Sequence, residues 1–438
     1  MQLKDKAKPA VRQIGTPLAA ATCTLLGLGA TGSVVAQELP PWDLDTSLLI
    51  YSESDGRVRD TSVTARARKE IREEKFLDLT LAIDSLTGAS PSGAVPASTV
   101  QTFTSPSGNS QYTVGAGAQA LDTSFLDTRT ALGASWEMPI ARLSLLSLGA
   151  SLSDEYDYTH AGLNARFARD FNNRNTTLSF GLALANDTID PVGGTPVPLT
   201  PMLGVGAGSN KRGGQSKDVT DFLLGVTQVL SRHTIVQLNY SLSQSDGYLS
   251  DPYKVLSVVD PVTGSPTAGP AGSGLYRYLF DSRPDAREKQ SLYGLVKRDF
   301  NGDVLEASYR YMTDDWGVDS HTLELRYRWS FGERYLQPHV RFYQQTAADF
   351  YRTVLFDGTP LPVYATADHR LGEFDGLTIG LKYGQATARG GEWSARVEYY
   401  TQTGNPSPGA AVGALAGFDL YPDLNAVIAQ FSYKFGRR

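Results

Sequence analysis

The densest cluster of side chains able to do chemistry lies in the stretch DDWGVDSH, residues 314–321. It supplies three carboxylates and one imidazole, from Asp314, Asp315, Asp319 and His321. Oxygen ligands are what Ca²⁺ prefers, so the cluster could hold a divalent cation such as calcium. Asp and Gly are also common turn formers, because an Asp side chain bonds its own backbone. The alternatives are a cation site and a structured turn, and the sequence favours the turn.

A second set of charges recurs at every second residue of predicted strands and would share one face. Rings of fixed charge can line an aqueous path and set its selectivity. Mixed signs can instead pair across the interior and fill it. We expect a water-filled but partly occluded lumen. The predicted lumen charges are Glu306, Arg310, Glu324, Arg326, Arg328, His339, Arg341, Arg396 and Glu398.

Other site chemistry finds little support in the sequence. None of the five histidines lies in a recognisable nucleophile motif, so we expect no enzymatic activity and no catalytic or cofactor-binding residues. The alternative is a surface hydrolase of lipid or peptide. The single cysteine, Cys23, lies in the N-terminal segment, which leaves no thiol chemistry after processing. A net charge of −6 without a basic cluster argues against nucleic-acid binding.

The elements that must position these residues follow a period of two. Leu323, Leu325 and Trp329 alternate with charged residues, as in a strand with one apolar and one polar face. The candidate strands run to about ten residues or more, the length that crosses a bilayer at a tilt. They are predicted at 44–53, 57–70, 76–86, 125–138, 142–156, 157–171, 177–187, 219–231, 235–247, 288–300, 304–314, 320–331, 335–346, 373–384, 391–403 and 425–435.

The connections between these strands alternate in length. Every second one is a short turn, and all the long ones, such as 87–124 and 248–287, fall in the other set. Long loops on one rim and short turns on the other are typical of outer-membrane barrels. We therefore predict an all-β fold, a single transmembrane antiparallel up-and-down β-barrel of about 16 strands (about 14–18), with long extracellular loops and short periplasmic turns. The long loops are rich in Gly, Pro, Ser and Thr, and we expect them to be mobile and solvent-facing.

The N-terminal segment predicts export. Basic residues precede a moderately apolar stretch at 18–30, and small or medium residues end at Ala36. We assign 1–36 to a signal peptide, 37–43 to a periplasmic lead-in and 44–438 to the barrel. The expected location is the cell outer membrane.

Aromatic residues cluster near the short-turn ends of the predicted strands. Trp136, Trp329, Trp393 and Phe435 are predicted to form an aromatic girdle where rings meet lipid headgroups. In the last strand, alternating aromatic residues end at Phe435, similar to the signal read by the barrel-assembly machinery. Outer-membrane lipid and that machinery are therefore the expected partners.

Several stretches, taken together, run over nearly all of the mature chain and resemble an uncharacterised family of bacterial outer-membrane barrels, domain of unknown function 3570. They are LLIYSESDGRV (48–58), IDSLTGASPSGA (83–94), YLSDPYKVLSVVD (248–260), DDWGVDSHTLELRYRW (314–329), QTAADFY (345–351) and LGEFDGLTIGLKYG (371–384). The resemblance implies no catalytic residues. It implies an envelope redox or electron-transfer context, with a lipoprotein or periplasmic partner. Similar proteins are often encoded near a small lipoprotein, a thioredoxin-like protein and a flavin transferase.

The sequence thus predicts a channel, or a conduit or scaffold for envelope partners. The alternatives are the surface hydrolase and an adhesive or structural barrel whose loops bind partners.

Overall fold

The computed structural model describes residues 42–88, 91–104, 111–121, 126–203, 210–388, 390–405 and 411–435. The signal peptide predicted at 1–36 and most of the lead-in lie outside the described residues.

Sixteen long strands form one closed sheet. Their bounds differ from the sequence prediction by only a few residues. They are β1 (Asp43–Glu53), β2 (Arg59–Arg72), β3 (Lys75–Thr87), β4 (Leu126–Ala141), β5 (Ser144–Asp154), β6 (Tyr158–Phe171), β7 (Thr176–Ile189), β8 (Gln215–Ser231), β9 (Thr234–Gly247), β10 (Ala286–Phe300), β11 (Asp303–Asp314), β12 (Asp319–Phe331), β13 (Arg334–Gln345), β14 (Phe374–Ala386), β15 (Glu392–Gly404) and β16 (Leu424–Lys434).

Each strand pairs antiparallel with the next along the chain, and β16 returns to pair with β1. In that closing seam Leu48 lies opposite Phe431. Closure leaves no strand edge unpaired, as a barrel in lipid requires. The predicted fold, an antiparallel up-and-down barrel with an even strand number, is confirmed.

The two faces of the sheet differ as the sequence alternation predicts. Large apolar side chains face outward and are exposed along the strands, for example Leu132, Leu163 and Trp329. An exposed apolar band around a closed barrel is the surface that meets a lipid bilayer. None of the helices in the described part of the chain is long and apolar enough to cross a membrane.

Tight turns join the strands at one end, which we call the short-turn rim. The turn from β10 to β11 consists of Asn301 and Gly302, both with positive φ, as a two-residue hairpin requires. The other end, the long-loop rim, carries the connections 88–125, 190–214, 248–285, 346–373 and 405–423.

The long loops pack together into one structure, which we call the cap. Its centre is a three-stranded sheet made of Tyr278–Phe280, Val255–Val259 and Val354–Phe356. Backbone hydrogen bonds attach each of the other long loops to this sheet or to the loop that carries its central strand: Val255 N–H to Ser92, Met202 N–H to Tyr278, Asp357 N–H to Val259 and Ala414 N–H to Thr263.

The expectation that these loops face solvent was wrong for the segments that form the core of the cap, whereas other segments, such as those around Val262 and Val363, are exposed. Leu256, Val259 and Ala365 are fully buried, and the Gly- and Pro-rich stretch 87–98 contributes Ala94 and Val95 to apolar clusters. Small residues let this stretch approach the central sheet closely. The cap therefore has its own hydrophobic core.

Candidate functional site

The inward faces of β10 to β15 carry a continuous chain of ion pairs. It begins where the Lys297 ammonium lies 3.2 Å from Glu306. Arg326 then bridges Glu306, at 3.5 Å, and Glu324. Its members come from β10, β11, β12, β13 and β15, and it crosses β14 at Gly380, so the chain runs around the wall of the lumen rather than along one strand.

His339 extends this chain by bridging two carboxylates. Its Nε2 lies 2.8 Å from Glu324, and its Nδ1 lies 2.7 Å from Glu398. Arg396 lies 3.6 Å from the same Glu398 oxygen. His339 and Glu398 are both buried. Each ring nitrogen therefore faces a carboxylate oxygen, and the imidazole links the two carboxylates.

The other predicted lumen charges lie over aromatic rings. The Arg328 guanidinium is 3.7 Å from the centre of the Tyr335 ring. Arg310 and Arg341 lie 5.3 and 5.4 Å from the rings of Tyr293 and Tyr343. A ring face attracts a cation but does not neutralise its charge. These arginines therefore leave positive potential on this side of the lumen.

The opposite wall, from β4 to β9, is lined largely by small side chains. The alternation in the sequence also places Arg129, Glu137, Arg166 and Asp170 on this inward face. The register places on its inward face Gly133, Ser135, Ser147, Gly149, Ser151, Gly162, Ser179, Gly181, Ala183 and Ser241. The lumen thus has one side rich in linked charges and aromatic rings and one smoother side, the smooth wall, where charged residues stand among many small side chains.

An ionic cluster with a buried centre, formed by Asp281, Arg283 and Asp368, and an exposed member, Arg370, holds the cap together, and we call it the latch. Arg283 lies 2.6 Å from Asp281 and 2.9 Å from Asp368. Arg370 bridges Asp368 and Asp251 at 2.6 Å each. Burial raises the pKa of the Asp368 carboxyl, but the charges of Arg370 and nearby Lys254 outweigh it and hold that pKa well below its usual range. The latch joins loop 248–285 to loop 346–373.

Lys254 brings a third loop into the latch. Its ammonium donates to the Pro91 carbonyl at 2.5 Å, and burial lowers its pKa. The cap is seated on inward-facing residues at the ends of the strands. The Gln345 amide donates to the Gly372 carbonyl at 2.7 Å, and the Gln402 amide donates to the Tyr421 hydroxyl at 2.9 Å.

His369 makes the cap sensitive to pH. Burial, reinforced by the Lys254 charge, lowers the pKa of His369 from 6.5 to about 4. Between these values the unfolded cap binds a proton that the folded cap does not, so cap stability falls as pH drops from 6.5 to about 4. A pKa unit corresponds to about 1.4 kcal/mol, so the loss is at most about 3 kcal/mol. Hydrogen exchange of Val255–Val259, corrected for intrinsic rates, should speed up over this range.

The matched control is His369→Gln, which cannot gain a proton. Its exchange protection should not fall over the same pH range, because burial raises the pKa of Asp281, whose protonation adds stability as pH drops, and because the depressed pKa of Asp368 makes that group matter only at lower pH. Equal pH dependence in the two proteins would contradict the assignment to His369.

The first pair of predicted cation ligands lies at the long-loop rim in a structured turn. Asp314 accepts from Arg287 at 2.8 Å and from the Val318 N–H at 2.8 Å. Asp315 accepts from the Glu288 N–H at 2.9 Å. This is the bonding of the turn that the sequence favoured.

The other two predicted ligands face outward on β12. Asp319 accepts from the Tyr311 hydroxyl at 2.9 Å, and His321 lies 2.7 Å from the Tyr309 hydroxyl. The structure does not bring Asp319 and His321 together with the inward-facing Asp314 as one ligand set. Calcium binding by these residues stays a prediction.

A different set of carboxylates converges at the same rim. One oxygen each from Asp127, Glu155 and Asp157 lies within 4.8 Å of the others. Burial raises the pKa of Glu155, and the negative charge of Asp127 adds to the rise. The sequence did not reveal this cluster, because Asp127 lies at the start of β4 and the other two carboxylates lie in the turn between β5 and β6.

The predicted girdle residues lie near the short-turn rim. Trp136 and Trp329 are exposed on the outward face. Trp393 lies 6.3 Å from the Phe431 ring, and Phe435 packs edge-on against Tyr433 at 4.5 Å. Their contact with lipid headgroups stays a prediction.

A family model matches residues 16–435, nearly the whole chain, and its description is "Protein of unknown function (DUF3570)". The chain belongs to this family. The resemblance seen in the sequence is thereby confirmed, and the DUF3570 barrel has the architecture of outer-membrane proteins. No curated protein matches the chain.

Among solved structures, the DUF3570 chain is similar to several outer-membrane proteins. A bacterial polysaccharide outer membrane secretin matches with a TM-score of 0.44 and 9% identity over 92% of this chain and 100% of that one. OccK5 (OpdH) of Pseudomonas aeruginosa gives 0.40 and 9% over 90% and 97%. A mutant of the ferric enterobactin receptor (PfeA) of the same organism gives 0.41 and 9% over 84% and 54%. These likenesses are weak and do not assign a function to this chain.

Proposed function

We propose that this protein is a capped outer-membrane conduit, whose water-filled lumen passes small polar solutes and whose cap controls the long-loop mouth. One observation supports this most directly. The side chains of Arg66, Arg129 and Lys297 face the lumen from well-separated strands and remain 50, 47 and 50% exposed. Side chains in a sealed interior would be buried, so this exposure indicates room for water along the barrel.

The structure of the cap supports the proposal that it controls the long-loop mouth of the lumen. It is built from all five long loops and rests on lumen-facing residues such as Gln345 and Gln402. A covering with its own hydrophobic core can close a pore and still move as a unit. Opening of the cap would break the ion pairs of the latch, and their loss opposes the movement.

Solute-induced swelling of proteoliposomes tests conduction. We expect uptake of small sugars at rates that fall with sugar size, because passage is through water rather than through a specific carrier. Ala131→Trp places a large ring in the lumen and should slow the larger sugars first. Leu132→Trp is the matched control, because the adjacent residue faces outward. Swelling no faster than in protein-free liposomes would reject the conduit.

A redox or partner-scaffold role is implied by the family resemblance alone. It stays a prediction, tested by pull-down of the full-length protein with envelope lipoproteins.

A further inference from the structure

Three side chains on the smooth wall of the lumen have the geometry of a nucleophile, a base and an orienting group. The Ser151 hydroxyl lies 3.0 Å from Nε2 of His160. On the other side of the ring, Nδ1 of His160 lies 2.7 Å from Oδ1 of Asp187. An Nδ1–H that donates to the carboxylate leaves Nε2 as the acceptor for the serine proton. This tautomer lets His160 act as a general base toward Ser151.

Three consecutive strands bring these residues together. Ser151 is on β5, His160 on β6 and Asp187 on β7, and in the register of β6 with β7 His160 lies directly opposite Asp187. Strand-borne side chains are held more precisely than loop-borne ones. The three groups also face the lumen, where a solute could reach them.

The orienting carboxylate is itself held in place. Asp187 is buried and accepts a hydrogen bond from the Tyr158 hydroxyl. The Lys217 ammonium lies 3.1 Å from its second oxygen. These contacts keep the carboxylate ionised and aimed at His160, whose side chain remains 29% exposed.

Glycines keep the space around the nucleophile open. Ser151 lies opposite Gly162 on one neighbouring strand and opposite Gly133 on the other. A Cβ on Gly162 would lie 2.8 Å from the Ser151 hydroxyl oxygen and 3.0 Å from Nε2 of His160. The Ser–His hydrogen bond therefore depends on the absence of a side chain at 162. The space that these glycines leave beside Ser151 has room for a substrate carbonyl.

We propose that Ser151, His160 and Asp187 form a hydrolytic site for carboxylic esters of small, water-soluble acids that enter the lumen. Ser151 attacks the ester carbonyl as His160 takes its proton, and a tetrahedral intermediate forms. That intermediate expels the alcohol, which receives the proton from His160 and leaves an acyl-serine. Water, deprotonated by His160, then attacks the acyl-serine and releases the acid, and the proton returns to Ser151.

Asn164 is the side chain placed to stabilise the negative oxygen of the intermediate. It follows Gly162 by two residues on the same face of β6, and its amide covers Gly149, where a Cβ would lie 2.8 Å from the amide nitrogen. The backbone N–H groups of β5 and β6 belong to the sheet, so a side-chain donor has to supply this interaction.

This site departs from the expectation of no enzymatic activity. The sequence carries no strand–turn–helix motif around Ser151, and its partners lie on other strands. Only the register of the barrel shows that the three side chains meet. The proposal is independent of conduction, because hydrolysis needs solute access to the wall but no passage through the barrel.

Labelling with a fluorophosphonate probe tests the nucleophile in the purified full-length protein. We expect the probe on the Ser151 peptide and hydrolysis of p-nitrophenyl acetate, with both lost in Ser151→Ala. Ser153→Ala is the matched control, because Ser153 is the next inward residue on the same strand. Each variant must show the heat-modifiable mobility of a folded barrel on gels. A folded wild-type protein without label on Ser151 would overturn the proposal.

Four further variants separate a catalytic from a structural role. Gly162→Ala should abolish labelling by parting Ser151 from His160, whereas Gly133→Ala should not, because a Cβ there makes only an ordinary contact of 3.7 Å with Thr80. Asp187→Asn should lower turnover by roughly 10⁴-fold, because an amide favours the wrong His160 tautomer. Asp187→Glu should restore part of it. Equal turnover in the four variants would overturn the assignment of a catalytic role to Ser151, His160 and Asp187.

Discussion

Replacing Arg283 with Gln should release the cap. Arg283 is the cation between Asp281 and Asp368, and all three side chains are nearly or fully buried. Removing Arg283 leaves the fully buried Asp281 without its cation and leaves Asp368 with Arg370 and Lys254 alone, and breaking a buried ion pair in this way costs about 3–5 kcal/mol. Because the latch joins two of the long loops, this loss falls on the cap and not on the barrel strands. We expect faster proteolysis within 248–285, while the barrel keeps its heat-modifiable mobility.

The matched control for this prediction is Arg277→Gln. Arg277 lies on the same loop and pairs with Asp357 at 2.8 Å, but both side chains are well exposed. Exposed ion pairs contribute about 0–1 kcal/mol, so cap proteolysis should hardly change. If both variants were cleaved at the wild-type rate, the latch would not hold the cap.

Replacing His339 with Leu should destabilise the barrel itself. The imidazole bridges Glu324 and Glu398, and Leu removes that bridge, leaving Glu324 with Arg326 and the buried Glu398 with Arg396 at 3.6 Å. The expected loss in the free energy of unfolding is again about 3–5 kcal/mol, since His339 and Glu398 form a buried pair. The measurement is the urea midpoint for loss of the folded, heat-modifiable form in detergent.

His233→Leu provides the comparison for that measurement. His233 also pairs with a carboxylate, Asp299 at 2.9 Å, but it lies in a short turn with more than half of its side chain exposed. Its urea midpoint should match the wild type. A His339→Leu midpoint equal to that of His233→Leu would show that the lumen chain of ion pairs adds no stability.

The barrel could be predicted from sequence because each of its strands shows its own alternation of apolar and polar residues. Alternation such as Leu323–Phe331 sets the outward face locally, and the parity of loop lengths then orders the strands. Inward charges such as Glu306 and Arg326 follow from the same parity.

The cap and the triad could not be predicted, because no local pattern encodes them. The cap core joins Ala94, Val255 and Met202, which belong to different loops without periodicity. The triad depends on the register between β5, β6 and β7. Sequence spacing shows which residues share a face but not which of them meet across strands.

Single-channel conductance in planar bilayers tests the capped conduit most directly. The wild-type protein should be compared with a variant in which a short Gly-Ser linker replaces 255–280, the centre of the cap. We predict small or infrequent conductance steps for the wild type and larger, sustained steps for the variant. An absence of steps from both proteins, each shown to be folded and inserted, would contradict the water-filled conduit.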